Sequence, residues 1–110
     1  MKKLAPLLSL LFIGVALTTA KADNDFLAAL ARFDAEISFV KEKLTKDPKS
    51  FLAAIELGQT YHSRARLTGS LADYRSAEQA FRLSLSIVSD HNTEAQIGLA
   101  AALASPATNR

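Results

Sequence analysis

The sequence feature that most constrains the fold is a pair of small residues, each of which lies three or four positions before a large aromatic one. Gly58 follows Leu57 and precedes Tyr61 by three positions, while Ala77 precedes Phe81 by four. On helices, these spacings place each small residue on the same face as its large neighbour. Two helices can approach closely where small residues meet and bulky ones fill the space beside them. The pattern therefore predicts a closely packed helical hairpin.

The N-terminal segment has the composition of an export signal. A basic start is followed by an uncharged apolar run, Leu4 to Ala20, and then by Ala20-Lys21-Ala22, the small-x-small pattern that signal peptidase accepts. We expect cleavage between Ala22 and Asp23, so that residues 1–22 are a signal peptide and the mature protein is periplasmic or secreted. The alternative is a retained membrane anchor, although the apolar run is barely long enough to span a bilayer.

Removing that signal changes the electrostatic character of the chain. The whole sequence has 13 basic and 11 acidic residues, a formal net charge of +2. Three lysines belong to the signal, so residues 23–110 carry ten basic and eleven acidic side chains, a net charge of −1. No basic stripe with interleaved aromatic residues remains, and nucleic-acid binding is therefore not expected.

The mature chain of 88 residues is long enough for one domain. It contains no cysteine, so disulfides cannot stabilise it even in an oxidising compartment. Its stability must come from packed helix faces or from a partner. We expect residues 23–104 to form a helical domain and residues 105–110 to be a disordered tail.

Apolar spacing predicts a first helix from about residue 25 to residue 46. Its apolar positions recur every three or four residues, at Phe26, Leu30, Phe33, Ile37, Val40 and Leu44. Asp23, Asn24 or Asp25 can cap the start of this helix. Asp47-Pro48 ends it, since a residue before proline avoids the α region.

A helix-breaking sequence, Thr68-Gly69-Ser70, separates the second and third predicted helices. Gly69 can adopt the left-handed conformation that ends a helix, so the second helix is expected over about 49–67. Ser70 then begins the third helix, with Asp73 three residues on as a short form of the capping box. The third helix carries its apolar residues at helical spacing: Leu71, Tyr74, Ala77, Phe81, Leu85 and Val88.

The third helix is expected to end near Asp90-His91-Asn92, and a fourth, rich in small residues, to span about 93–103. No segment shows the period-two alternation of a strand. The predicted fold is therefore all-α, with antiparallel helical hairpins. About four helices form a short stack after the signal peptide is removed.

Residues 51–91 resemble a tetratricopeptide repeat (TPR), whose helix pair carries Leu-Gly-x-x-Tyr on its first helix and Ala-x-x-x-Phe on its second. In this sequence these residues are Leu57, Gly58, Tyr61, Ala77 and Phe81. Asp47-Pro48 resembles the end of a preceding repeat. Asn92-Thr93-Glu94-Ala95 resembles the start of a following one, in which Leu99-Ala100 would replace Leu-Gly. The resemblance implies a short TPR-like solenoid that binds other proteins.

The sequence also departs from the family pattern. Tyr61 and Ala77 lie 16 residues apart, about seven more than in a 34-residue repeat. One extra turn on each helix, with the break still at Gly69, explains the surplus. Ser84 stands where the family usually has a later alanine, and Ala54 where it often has tryptophan. An ordinary three- or four-helix bundle is the alternative fold.

The resemblance also implies a partner-binding groove on the first helix of the hairpin. The family's groove positions correspond to Leu52, Ile55, Gln59, His62 and Ser63. Arg66, one turn beyond His62, could reach a carboxylate of a bound peptide. The alternative for the polar residues is a solvated surface. For Leu52 and Ile55 we expect burial beneath the first helix, since leucine and isoleucine are ordinarily buried.

Residues with catalytic chemistry are sparse. The two histidines, His62 and His91, do not have the spacing of metal ligands. A glycine-rich phosphate loop is missing, and Gly69-Ser70 lacks the G-x-S-x-G arrangement that exposes a nucleophile. We therefore expect no enzymatic activity, no cofactor and no metal.

These observations predict an exported, non-enzymatic module that binds a protein or peptide partner, as a scaffold or an assembly factor in a bacterial periplasm. Three alternatives stay open. Identical chains can stack into a homo-oligomer, or the sequence can be a fragment of a longer repeat protein. Alternatively, helix 25–46 can lie on a membrane surface, although its polar face carries as many acids as bases.

Overall fold

The computed structural model describes the backbone of residues 4–105 and the side chains of residues 20–105. Within these residues all regular structure is helical: α1 Leu4–Lys46, α2 Phe51–Thr68, α3 Leu71–Ile87 and α4 Thr93–Leu103. The all-α prediction is confirmed, and the arrangement is compatible with a helical repeat. The side chains of residues 1–19 in the predicted signal peptide, and residues 106–110 of the predicted tail, lie outside the described part.

Two compact units divide the chain, residues 1–31 and residues 32–110, and the packing described below belongs to the second. The backbone of α1 is continuous, so the predicted helix start at Asp23, Asn24 or Asp25 is wrong for the full chain. The physical reason lies in the local sequence. Residues 20–31 are rich in alanine, the strongest helix former, and contain no proline or glycine that would interrupt the helix. Its predicted end before Asp47-Pro48 is confirmed.

Caps define the α2–α3 hairpin. Ser50 accepts a hydrogen bond from the N–H of Ala53 at the start of α2. At the other end Gly69 adopts φ 69°, and its N–H donates to the carbonyl of Ala65. Ser70 then caps α3. The two helices have 18 and 17 residues, and the predicted break between them at Gly69 is confirmed.

Phe81 is the aromatic residue most completely buried in the described core, at 1% exposure. Its ring lies between glycines of two different helices. A methyl group added to Gly58 on α2 would lie 2.7 Å from the ring, and one added to Gly98 on α4 would overlap it. Ala77 on α3 is buried in the same cluster. The predicted close packing of Gly58, Ala77 and Phe81 is confirmed.

The residue of α4 that allows this approach is Gly98, which was not identified from the sequence. Gly98 faces Phe81, while Ala100, predicted to replace the glycine of a following repeat, is exposed. Leu99 is half-buried against the Phe81 cluster. Ala95 and Ala102, both fully buried, complete the inner face of α4. The face of α4 that packs on the Phe81 cluster therefore contains Ala95, Gly98 and Ala102.

A second apolar cluster joins the C-terminal part of α1 to the hairpin. Ile37 and Val40 are buried against Leu57 of α2, together with Ala53 and Ala80. Leu44 and Tyr61 pack against this group and are partly buried. The predicted apolar face of the first helix is confirmed for these positions, while Phe26, at 40% exposure, is open to solvent.

A buried polar group ties the start of α2 to the α3–α4 connection. Ser84 is fully buried, and its hydroxyl donates to the carbonyl of Phe51 at 2.9 Å. It also accepts a hydrogen bond from the Asn92 amide nitrogen at 2.9 Å. Asn92 Oδ1 in turn accepts from the N–H of Ala95 as the cap of α4. The serine that departs from the family pattern thus joins three elements.

The other end of the hairpin is held by Arg64. Its guanidinium donates to Asp73 Oδ2 at 2.6 Å and to Asp34 Oδ1 at 3.0 Å, linking α2 to α3 and to α1. The hydrogen bond with Asp73 is the main reason that the pKa of Arg64 lies above its usual value. The predicted capping box is confirmed in part. Ser70 accepts a hydrogen bond from the N–H of Asp73, but the N–H of Ser70 donates to Thr68 Oγ1 and not to the Asp73 carboxylate.

The Gly98–Phe81 contact gives a test of this packing. We expect Gly98→Ala to lower the free energy of unfolding by up to about 2 kcal/mol, because overpacking costs about 1–3 kcal/mol and the helix preference of alanine returns about 1 kcal/mol. Urea denaturation measures the change. Phe81→Leu should relieve part of the clash, so the double variant should lose less than the two single losses added together. A more stable Gly98→Ala variant would contradict the packing.

Arg64 gives a second test. We expect Arg64→Ala to lower the free energy of unfolding by about 1–3 kcal/mol, because it removes the charged partner of the nearly buried Asp73 carboxylate. Asp34→Asn removes only the exposed ion pair of Arg64 and should cost less than about 1 kcal/mol. Equal losses in the two variants, measured by the same denaturation, would show that the Asp73 contact is not the dominant one.

Candidate binding surface on α2

One side of α2 faces away from both apolar clusters. On a helix of 3.6 residues per turn, Leu52, Gln59, Ser63 and Arg66 fall on one stripe. Leu52, Gln59 and Arg66 are exposed and Ser63 is half-buried, so the stripe is accessible along its length. We call these four residues the α2 stripe. Four of the six predicted partner-binding residues therefore share one open surface.

The two apolar groove residues were expected to be buried beneath α1, and this is wrong for Leu52, while Ile55 is buried against other helices. Leu52 is 63% exposed, so α1 does not cover it. Ile55 is buried at 4%, but its cluster consists of Ala77 and Phe81 of α3 with residues of α4. The reason is position on the helix: Ile55 points between α3 and α4, whereas Leu52 points outward. Leu52 is available for contact and Ile55 is core.

His62 borders the α2 stripe and packs against α3. Its ring makes an edge-on contact with Tyr74, with the ring centroids 5.8 Å apart. Burial lowers the pKa of His62 below its ordinary 6.5, and the charge of nearby Arg66 lowers it further. The imidazole is therefore held neutral at pH 7, where it can both donate and accept a hydrogen bond.

A solvent-open hollow of about 180 Å³ lies at one end of the stripe, between the starts of α2 and α4. Leu52 and Ile55 form part of its apolar lining, and Glu94 adds the only charged group of α4. The remaining lining residues are Phe51, His91, Asn92 and Thr93. The hollow is large enough for one apolar side chain, with a carboxylate beside it. The structure thus brings the predicted apolar positions together with residues that the sequence did not suggest.

The contribution of the α3–α4 connection to this hollow was not identified from the sequence. Asn92 and Glu94 were read only as the start of a following repeat, yet they form one wall of this hollow. His91, in the same connection, has φ 59°, which turns the chain into α4. The polar residues of this turn were the available signal, because turn residues beside a helix start often carry function.

A second hollow, of about 320 Å³, lies between the C-terminal part of α1 and the hairpin. Lys41 is its charged residue, and the Lys41 ammonium lies 5.7 Å from the centre of the Tyr61 ring. The other lining residues are Leu57, Ser76, Gln79, Ala80 and Leu83. This hollow contains none of the predicted partner-binding residues.

Metal-binding geometry is absent from the described residues, since they contain no group of three or more His, Asp or Glu side chains that could hold an ion. Their buried side-chain nitrogen and oxygen atoms all have hydrogen-bond partners. Within residues 20–105, whose side chains the structure describes, no helical segment has the length and apolarity needed to cross a membrane. The α2 stripe offers one apolar side chain, an amide, a hydroxyl group and one cation, with the imidazole of His62 at its border.

The lowered pKa of His62 gives a pH prediction. In the unfolded chain the imidazole binds a proton more readily than in the folded one, so the protein should lose stability as the pH falls through 6.5 toward the folded pKa. His62→Gln should reduce this loss between pH 8 and pH 5.5, measured as the free energy of unfolding. Arg66→Gln removes the smaller cause and should reduce it only in part. Unchanged pH dependence in His62→Gln would refute the assignment.

Comparison with models of known protein families, with curated proteins and with solved structures finds no match for this chain. The assignment of the fold therefore rests on the residues of the chain itself. They form an all-helical structure that is compatible with a helical repeat, with an exposed stripe on the first helix of its hairpin.

Proposed function

We propose that this chain is an exported, non-enzymatic module of the TPR-like kind, which binds a peptide segment of a protein partner along the α2 stripe. The observation that carries the proposal is the position of Leu52. A leucine that is 63% exposed, beside a hollow partly lined by the buried Ile55 and the half-buried Phe51, offers a favourable site for one apolar side chain of a partner. Polar groups that can fix the orientation of a peptide continue from it along the same helix.

The dimensions of the stripe limit what can bind. Leu52 and Arg66 are 14 residues apart, which is about 21 Å along a helix. An extended peptide of about six residues covers that distance. Gln59 and Ser63 lie between the two ends, where they can hydrogen-bond with peptide backbone or side chains. A short linear segment therefore fits better than a large flat surface.

The charges at the two ends differ, which gives the expected peptide a direction. Glu94 lies at the hollow, so a basic residue of the partner is favoured next to its apolar anchor. Arg66 lies at the far end and forms no ion pair with any described residue, so an acidic side chain or a C-terminal carboxylate is favoured there. The predicted ligand has a basic-apolar end and an acidic end.

Site-specific photo-crosslinking in cells tests this proposal. A photo-reactive amino acid at Gln59 should capture a partner, whereas one at Arg75, an equally exposed position on α3, should not. Leu52→Asp should reduce the yield at Gln59 about tenfold, which corresponds to about 1.4 kcal/mol of binding free energy. Arg66→Glu should reduce it several-fold, because a rim charge contributes less than a buried anchor.

Three results would refute the proposal. Equal capture at Gln59 and Arg75 would show that the α2 stripe is not the binding surface. Capture that is insensitive to Leu52→Asp would show that Leu52 is not the apolar anchor. Flotation of the exported protein with protein-free liposomes would instead support the membrane-surface alternative, in which exposed apolar residues of α1 contact lipid.

A further inference from the structure

The chain contains two sequence patterns that each occur twice, 42 residues apart. Ala53-x-Ile55-x-Leu57 on α2 recurs as Ala95-x-Ile97-x-Leu99 on α4. Ala35-Glu36-x-x-Phe39 on α1 recurs as Ala77-Glu78-x-x-Phe81 on α3. By this spacing α4 corresponds to α2, and the C-terminal part of α1 corresponds to α3. The described helices are thus one complete hairpin, preceded by the second helix of one such unit and followed by the first helix of another.

Helix caps support the same correspondence. Ser50 caps α2 and Asn92 caps α4, and these two residues are also 42 positions apart. Each accepts a hydrogen bond from the backbone N–H three residues on, Ala53 in one case and Ala95 in the other. The two helices therefore begin at equivalent positions, so their outward and inward faces can be compared residue by residue.

Equivalent residues differ sharply in burial. Ile55 and Phe81 meet in the α2–α3 contact and are 4% and 1% exposed. Their counterparts, Ile97 on α4 and Phe39 on α1, are 64% and 58% exposed. The small residues behave in the same way: Gly58 and Ala77 are buried, while their counterparts, Ala100 and Ala35, are exposed. Each end of the structure therefore displays one half of a hairpin contact without the other half.

We propose that α4 of one copy of this chain packs against α1 of a second copy, reproducing the α2–α3 contact between molecules. Ile97 and Ala100 of the first copy would then cover Ala35 and Phe39 of the second. Such an interface joins two different surfaces, so it adds copies head to tail. It leaves Leu52, Gln59, Ser63 and Arg66 of the α2 stripe free and engages Glu94 of the adjoining hollow, and it does not depend on partner binding.

The composition of α4 favours a second copy of the chain as the partner of this helix. Its single charged residue is Glu94, and apart from Thr93 and Gln96 its other residues are apolar or glycine, a composition typical of buried helices. In an antiparallel pair, Glu94 would approach the end of the neighbouring α1, which carries Lys43 and Lys46. Glu42 takes the place that Ser84 has in the hairpin, and it is already paired with Lys46 at 3.3 Å. Lys43 is likewise paired with Glu56 at 3.1 Å, so Glu94 would join lysines that already have carboxylate partners.

The size of the contact sets its strength. One pair of helices buries less than the roughly 1,200 Å² found in stable protein–protein interfaces, so the association is reversible and concentration-dependent. A sedimentation coefficient that rises with protein concentration is the expected behaviour of the wild-type protein. The sample is the chain expressed with its own N-terminal segment and recovered from the exported fraction.

Two variants each block one face. Ile97→Asp removes the α4 face and Phe39→Asp removes the α1 face, so each alone should stay monomeric at concentrations at which the wild-type protein associates. Mixed together, they should form a dimer and nothing larger, because one intact face of each kind remains. Leu52→Asp, at an equally exposed leucine outside both faces, should associate like the wild type. It should lose partner capture at Gln59, which separates this proposal from the preceding one.

A cysteine experiment keeps the test decisive if an aspartate variant folds poorly. The chain has no cysteine, so Ile97→Cys in one preparation and Ala35→Cys in another introduce single thiols at the two faces. Mixing them under oxidising conditions should give a disulfide-linked heterodimer at least tenfold faster than mixing Ile97→Cys with Leu52→Cys. A monomeric wild type at every concentration, or no dimer in the aspartate mixture and no selective disulfide, would overturn the proposal.

Discussion

The contact of one phenylalanine ring with two glycines determines most of this architecture. The described core is otherwise built largely from alanines, and Phe81, Val40 and Ser84 are its largest fully buried side chains. Small side chains contribute little apolar area unless the helices come very close. Gly58 and Gly98 allow that approach from both sides of Phe81. The positions of α2, α3 and α4 relative to one another therefore depend on this contact.

Polar interactions complete the hairpin at its two ends. Arg64, Asp73 and Thr68 lie near the turn between α2 and α3, while Ser84 and Asn92 lie at the opposite end. A buried polar group is costly when unpaired, so sliding α2 along α3 would break bonds at both ends at once. The apolar middle holds the helices together, and the polar ends fix their register.

Much of the fold follows from the sequence, because its signals are local. The Gly69 break, the Ser70 cap and the end of α1 before Pro48 each depend on a few neighbouring residues. Tertiary contacts could not be predicted in that way, because no local signal indicates that Gly98 meets Phe81. The same limit applies to the site. Polar stripe residues were identifiable by helical position, but the outward direction of Leu52 and the contribution of Glu94 to the hollow depend on where α4 packs.

Gly69 differs from Gly58 and Gly98 in the reason that glycine is required at its position. A methyl group there would meet no atom within 4 Å, so only its backbone angle of φ 69° demands glycine. At Gly69 the hairpin turn is thus held by helix caps and by the hydrogen bonds of the neighbouring Thr68, and not by packing. For protein engineering, this makes the turn a suitable position for a reporter group, a spectroscopic label or an added loop. Such an insertion would sit outside both apolar clusters.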